Sequence, residues 1–367
     1  MTITRRTFLS LAGSTILGAK VANALPSPFQ MPRFAYVAAK GNACGVYVFA
    51  PRNPRWQLLH FVPAEETVAL AIHPDGRTLY VLHEVAIFRT LPRGYVSAYR
   101  IDPQSPKPVL LGVQPLSLSA TFPRHFAISP SGSFLIASAH GGGAYNFFPI
   151  FEDGSIGRVC GIRKEVGCGP SLHSQHSARP QVVLFTRRGD CILTVDQGND
   201  TISLLDGNPS LRVRARSALP PGTGAHSLAI RHASQTAFVS GSLSEALLTF
   251  RYDASAATIT EPAILVADGV RGPLAMHPTR EILYVATSRG VAVYDFHRAD
   301  KSRRIQHLEI DDGLLESQSL QFSPSFDALF LSTRTGLLRI ATNRVSGLLE
   351  TPRWISSVPH AQTVVFI

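Results

Sequence analysis

The strongest constraint in this chain is a strand–turn–strand unit that recurs along its length. Residues 68–84, VALAIHPDGRTLYVLHE, show it best: an apolar run over 68–72, a His-Pro-Asp-Gly turn, a second apolar run over 78–82, then His83 and Glu84. Related copies occupy residues 124–140 (RHFAISPSGSFLIASAH), 181–196, 226–240, 274–286 and 319–332. From turn to turn they lie 56 or 57 residues apart early in the chain and 45 or 46 later. Short apolar runs bounded by turn residues mark strands buried on both faces. A hairpin of this size cannot cover its own faces and must stack against copies of itself. At this period, stacked hairpins predict a β-propeller.

Six hairpins and an opening pair of strands at 34–39 and 45–50 make seven blades. Each hairpin is followed by a further strand, usually ending on an aromatic: 95–99, 144–148, 201–205, 246–250, 290–294 and 336–340. The opening blade lacks an inner strand, and 363–367 (TVVFI) has no partner after it. Pairing these two ends closes the ring and removes exposed edges. The expected fold is therefore all-β: a seven-bladed β-propeller over 34–367 with four-stranded antiparallel blades, closed by the N- and C-terminal strands. Segments 105–108 and 218–225 read as connections between blades. No helix of ordinary length is expected after residue 24.

Residues 1–24 have the pattern of a twin-arginine export signal: Thr4-Arg5-Arg6-Thr7-Phe8-Leu9-Ser10, an apolar run over 9–19, and Ala22-Asn23-Ala24 as a cleavage site. The apolar run is too short to span a bilayer. A Pro-rich linker, LPSPFQMPR, fills 25–33. The expectation is contact with the Tat export machinery, a periplasmic or otherwise exported mature protein, and no stable membrane span. Removing Arg5, Arg6 and Lys20 takes the net charge from +10 to +7. The remaining basic residues are scattered. The densest run, 212–216 (RVRAR), alternates along a strand and reads as a solvated face, so nucleic acid is not an expected partner. Of the four cysteines, Cys44, Cys160, Cys168 and Cys191, the pair Cys160 and Cys168 could close a loop in an oxidising compartment; buried, unpaired cysteine is the alternative.

In every hairpin the turn lies at one end, so the start of the inner strand and the end of the second share the opposite mouth. Repeat phase thereby gathers Glu84, Arg124, His125, His140, Arg179, Gln181, Asp196 and His226 around one opening of the central channel. Propeller ligands bind near such a channel.

Residues 70–84, 94–102 (GYVSAYRID) and 138–157 (SAHGGGAYNFFPIFEDGSIG), with PGTG at 221–224 and FRYD at 250–253, match a known pattern in order and spacing. Through them the chain resembles the seven-bladed lactonase-like propeller family, which includes 6-phosphogluconolactonases of that fold and carboxy-cis,cis-muconate cyclases. The resemblance covers about residues 34–367 and implies a lactone hydrolase or related cyclase. Glu84 matches the glutamate after the second blade's hairpin, with His83 where asparagine is usual. His125 matches the histidine of the third blade, and Asp196 the later aspartate of the fourth. His140 stands in place of a tyrosine. The family's Pro-His-x-His motif falls on Ala178, Arg179, Pro180 and Gln181, so both of its histidines are missing. Its Arg-His pairs fall on His226–Ser227 and Gln318–Ser319, and an Asn-Glu pair on Gly241–Ser242.

Opening a lactone requires a base for the attacking water, a donor for the developing oxyanion and an acid for the leaving oxygen. His125 and His140 are candidate bases, with Glu84 orienting them. Arg124 and Arg179 suit an oxyanion or a substrate carboxylate, and Asp196, His226 and His83 complete the expected substrate-binding set. The glycines at 141–143 are not a phosphate loop, because no helix and no Lys-Ser/Thr follow. There is no Gly-x-Ser-x-Gly elbow. Only Glu84 and Asp196 offer obvious carboxylates, so no metal and no cofactor are expected. His73 and His277, in His-Pro turns at the opposite hairpin end, read as structural. Two functions stay open: an exported lactonase-like hydrolase, or related cyclase, acting on a small acidic or sugar lactone; and a non-catalytic propeller binding a small ligand or protein partner.

Overall fold

A strand buried on both faces needs apolar side chains at every position, and the run Leu79, Tyr80, Val81 and Leu82 is sealed from solvent throughout. The computed structural model describes residues 32–52, 55–267, 269–298, 301–310 and 317–367. The export signal expected at 1–24, and the linker up to residue 31, lie outside the described residues. Seven antiparallel sheets form the ring. From the axis outward, blade 2 is Thr67–Ile72, Thr78–His83, Tyr95–Asp102 and Ser105–Pro115. The same order holds in the blades whose inner strands are Thr121–Ile128 (blade 3), Pro180–Phe185 (blade 4), Ala225–Arg231 (blade 5), Leu274–Met276 (blade 6) and Ser317–Phe322 (blade 7). In blade 5 the outermost place is shared by Thr258–Ile259 and Ala263–Val266, both paired with Leu247–Asp253.

Blade 1 is assembled from both ends of the chain. Ala361–Phe366 is its innermost strand and pairs antiparallel with Ala35–Ala39, from Ala35↔Phe366 to Ala39↔Ala361. The expected closure is therefore present. Residues 105–108 are not a connection but the start of the outer strand Ser105–Pro115. Pro106 and Pro108 suggested a loop; an outermost strand tolerates proline because its free N–H edge has no partner to lose. The sole helical turn among the described residues is the 3-10 segment Gly41–Ala43.

Seven apolar clusters hold the ring, one at each interface between neighbouring blades. Repeat-equivalent tyrosines add polar ties: the Tyr80 hydroxyl donates to the Gly154 carbonyl of the next blade at 2.9 Å, and Tyr284 donates to Gly347 at 2.7 Å. His73 reaches the Gly132 carbonyl of the next turn at 3.0 Å, and His277 Nδ1 accepts the Thr279 N–H, which places both in turn architecture. The RVRAR run is more engaged than a solvated face. Arg212 and Arg214 pair with Asp206, and Arg216 reaches Glu165 in the neighbouring blade at 2.5 Å. All four cysteines are free thiols, with Cys160 and Cys168 exposed.

Candidate active site at the channel mouth

Six inner strands carry a β-bulge: that of blade 1 skips at Gln362–Thr363, where Val37↔Val364 is followed by Ala39↔Ala361, and the other five slip at one shared phase. Their register slips between Thr67 and Ala69, Pro123 and His125, Pro180 and Val182, Ala225 and Ser227, and Ser317 and Ser319. The skipped residues are Val68, Arg124, Gln181, His226 and Gln318. Strict alternation would send every second side chain into a blade interface. A bulge residue has no partner across the ladder, and the local bend re-aims it. Consecutive residues from each strand consequently face the axis: Arg124 with His125, Gln181 with Val182, His226 with Ser227, Gln318 with Ser319. Together with Gln362 and Thr363 of blade 1 they line a central cavity of about 250 Å³.

Arg124 is the cation that lines this cavity. Its Nη2 lies 2.9 Å from Glu84 Oε1, and the other carboxylate oxygen of Glu84 binds Lys40 Nζ. Glu84 thus ties blades 1, 2 and 3 together while its own side chain stays buried. Arg124 Nε is buried and has no protein partner, and the same is true of Gln181 Oε1. A donor and an acceptor are therefore left unsatisfied beside the channel, which native structures rarely allow without a ligand or water.

The histidines here are held neutral, and hydrogen bonds set their tautomers. His125 Nδ1 accepts the Val183 N–H at 3.5 Å, which puts its proton on Nε2. Burial pushes its pKa down to about 4. His140 Nε2 lies 3.0 Å from Gln197 Oε1. Gln197 Nε2 donates to Ser242 Oγ at 3.0 Å, and Ser242 donates to the Gly224 carbonyl, so the Gln197 oxygen must accept from His140. His140 thereby carries its proton on Nε2 and keeps the Nδ1 lone pair. Burial pushes His140 down to about 4 as well, opposed by the Gln197 bond and assisted by the charges of Arg124 and Arg179. His226 lines the cavity, and burial first, then Arg124, lowers its pKa. Among the described residues no three His, Cys, Asp or Glu side chains converge as metal ligands would.

Two residues expected at the mouth sit elsewhere. His83 is sealed inside blade 2: Nδ1–H donates to the Glu65 carbonyl, Nε2 accepts from Ser97 Oγ, both at 2.7 Å, and the ring stacks on Tyr95. It has nothing left to offer a substrate. Asp196 is also buried. Its Oδ1 accepts the N–H groups of Arg179, Gly198 and Asn199 at 2.7, 2.8 and 3.1 Å, while Oδ2 has no partner. Burial outweighs those bonds and raises its pKa to about 6. Asp196 therefore positions the backbone of Arg179 rather than a ligand. The Arg179 side chain is half-exposed and donates to His176 Nδ1 at 3.1 Å.

The structure also adds residues that the sequence reading passed over. His83 pairs with Thr67 and Asp196 with Pro180, so these two share a phase, the last residue of the second strand. The next position is Glu84 in blade 2, Gln197 in blade 4 and Ser242 in blade 5, and this is the phase that makes the polar network. Gln197 was findable as the counterpart of Glu84. Lys40 had no such signal, because it belongs to the one blade without a hairpin repeat.

Fold and site together define a class: a propeller whose inner-strand bulges aim an arginine and neutral histidines into one mouth. The family described as lactonase, 7-bladed beta-propeller, matches residues 38–275, and the chain belongs to it. A 6-phosphogluconolactonase from Bacillus subtilis (strain 168) is 26% identical over 220 residues, 56% of this chain and 61% of that protein. One from Formosa agariphila is 26% identical over 191 residues, 50% of this chain and 53% of the relative. The matches thus span less than two thirds of either relative. The periplasmic gluconolactonase of Pseudomonas aeruginosa superposes with a TM-score of 0.78 over 91% of this chain and 98% of that one, at 18% identity, a likeness of fold.

Proposed function

We propose that the protein is an exported lactonase-like hydrolase that opens a small acidic or sugar lactone at the channel mouth. The observation that carries this reading is the set of uncommitted groups at the mouth: the His140 Nδ1 lone pair, which feels the charge of Arg124, and two donors from the strand that lines the cavity, His125 Nε2–H and the unpartnered Arg124 Nε–H. In the reaction His140 takes a proton from water as the water oxygen attacks the lactone carbonyl. The oxyanion receives the His125 and Arg124 donors, the ring C–O bond breaks, and His140 returns its proton to the leaving oxygen. A base of pKa about 4 is weak, but a substrate carboxylate beside Arg124 and Arg179 offsets two of the charges that depress it. Glu84 acts through Arg124, and Asp196 through Arg179.

Residues 1–24 act as the Tat signal, 25–33 as a linker and 34–367 as the propeller, placing the mature protein in the periplasm, where phosphorylated sugars are not the expected substrates. Among the described residues no helix is long and apolar enough to cross a membrane. A panel of aldonic and carboxylated lactones tests the activity: purified protein should open at least one faster than buffer. Replacing His140 with Gln should lower kcat/KM by about 10²-fold or more. No acceleration across the panel refutes the enzyme reading and leaves a binding propeller, which the missing Pro-His-x-His histidines at 178–181 favour.

A further inference from the structure

Two loops form a wall on the mouth face of blades 2 and 3. Residues 84–94 leave the strand that ends beside Glu84, and residues 116–122 lead into Arg124. Backbone bonds lace the loops together: Phe122 N–H to Val85 O at 3.0 Å, Ser119 N–H to Pro92 O at 2.8 Å, and Gly94 N–H to Ala120 O at 2.8 Å. The wall also seats against the glycines that follow His140. A Cβ on Gly142 would lie 1.7 Å from the Ser119 carbonyl oxygen.

This wall is apolar where it meets solvent, although it borders a polar site. Ile87, Leu118 and Phe122 are 62%, 58% and 44% exposed. Its backbone is strained in the left-handed region at Arg89, Thr90, Ser119 and Phe122, with φ of 46, 67, 67 and 48°. Positive φ is disfavoured for an aromatic residue, and such outliers gather at ligand sites. The position of Phe122 is also specific. The pairs Thr121↔Gly141 and Pro123↔Ala139 set it directly across the ladder from His140, and its ring rests on Gly141. Only Pro123 separates it from Arg124.

We propose that Phe122, with Ile87 and Leu118, forms an apolar platform that receives an alkyl or aryl substituent of the substrate. The proposal deepens the lactonase reading and rests on its assignment of the mouth. Arg124 takes the acidic end of the molecule, and the apolar part lies against Phe122, two residues away along the strand. A polyhydroxylated sugar acid would find no partners for its hydroxyls on such a wall, whereas an apolar substituent removes its exposed surface from water. The ring at Phe122 thus selects among acids that Arg124 alone would treat alike.

The test is binding of two carboxylate probes to the purified full chain by calorimetry: 4-hydroxy-4-phenylbutanoate and gluconate, the ring-opened forms of an aryl lactone and a sugar lactone. Wild type should bind the aryl acid at least about tenfold tighter than gluconate. Phe122→Ala should bring that ratio toward one, and Phe122→Leu should lower it partially. Ile87→Ser, at a side chain well out in solvent, should lower it too and keeps the test alive if the Phe122 variants do not fold. Equal or tighter binding of gluconate, or an unchanged ratio in every variant, overturns the proposal. Selective aryl-acid binding without turnover of either parent lactone or of any lactone in the panel would refute the hydrolase reading and leave the platform standing.

Discussion

Replacing Glu84 with Gln tests the mouth most directly, because stability and function should respond through different partners. Glu84 is nearly sealed, with a side chain only 5% exposed, and its single charge is shared between Lys40 and Arg124. Breaking a fully buried pair from one side costs about 3–5 kcal/mol. Here the two cations are 24% and 38% exposed and turn partly to water, so about 2 kcal/mol is the expected loss. At about 2 cal/mol/K of unfolding entropy per residue, a chain of this size gains about 0.7 kcal/mol/K, and 2 kcal/mol lowers Tm by about 3 °C. The functional loss should be larger. Without Glu84 the Arg124 guanidinium is no longer held at the mouth, and misplacing an oxyanion donor costs about 10²-fold in kcat/KM. The two effects separate in the double variant Glu84→Gln with Lys40→Met. Removing the stranded ammonium should restore most of the Tm but none of the activity. Thermal melts and lactone kinetics on the single and double variants decide the matter. If Glu84→Gln keeps kcat/KM within about twofold while Arg124→Gln abolishes it, Glu84 does not position Arg124 and the reasoning fails.

Other predictions concern protons. His125 and His140 titrate near pH 4, so kcat/KM should be flat from about pH 6 to 8 and fall as pH drops through 4, where the His140 lone pair is lost; a decline already complete at pH 6 would contradict the assigned burial. For His83, His125 and His140 the folded pKa lies below the ordinary 6.5, so the unfolded chain takes up protons first. Their stabilising contribution is complete above 6.5 and lost as pH falls toward 4, visible as a declining Tm across that window. Asp196 works in the opposite sense: with its folded pKa raised to about 6, its charge destabilises the fold above pH 6 and that penalty fades as pH falls toward 4. Asp196→Asn keeps the Oδ1 acceptor for three N–H groups and removes the buried charge, so its Tm relative to wild type should be higher at pH 7.5 than at pH 4.5; an equal shift at both would refute the assignment.

Much of the fold was legible because apolar runs and turns repeat. A hairpin buried on both faces leaves a continuous hydrophobic stretch, and six such stretches at a blade-like period leave few alternatives. Even ring closure followed from two unpartnered ends, 34–39 and 363–367, which the observed strands Ala35–Ala39 and Ala361–Phe366 match within two residues. Outer strands were harder to see. Ser105–Pro115 and Gln57–Pro63 carry more polar and half-exposed side chains, so the apolar signal fades where the blade meets solvent.

The site was legible in its mouth and partly misread in its phase. Repeat alignment gathered Glu84, Arg124, His125, His140 and His226 at one end, as the structure places them. It also gathered Asp196, and the expected substrate-binding set added His83; the reason both fall elsewhere is geometric. At a strand end, neighbouring residues point to opposite sides, so choosing the last paired position instead of the next one exchanges a side chain of the polar network for one packed inside its own blade. The inner-strand bulges compound the difficulty. Alternation alone lets either Arg124 or His125 face the channel, and only the skipped register between Pro123 and His125 delivers both. That pairing matters chemically, because a guanidinium and an imidazole N–H from adjacent residues share one side of the mouth only if the strand breaks its period there. A backbone irregularity repeated in six of the seven blades thus turns a packing surface into a polar cavity.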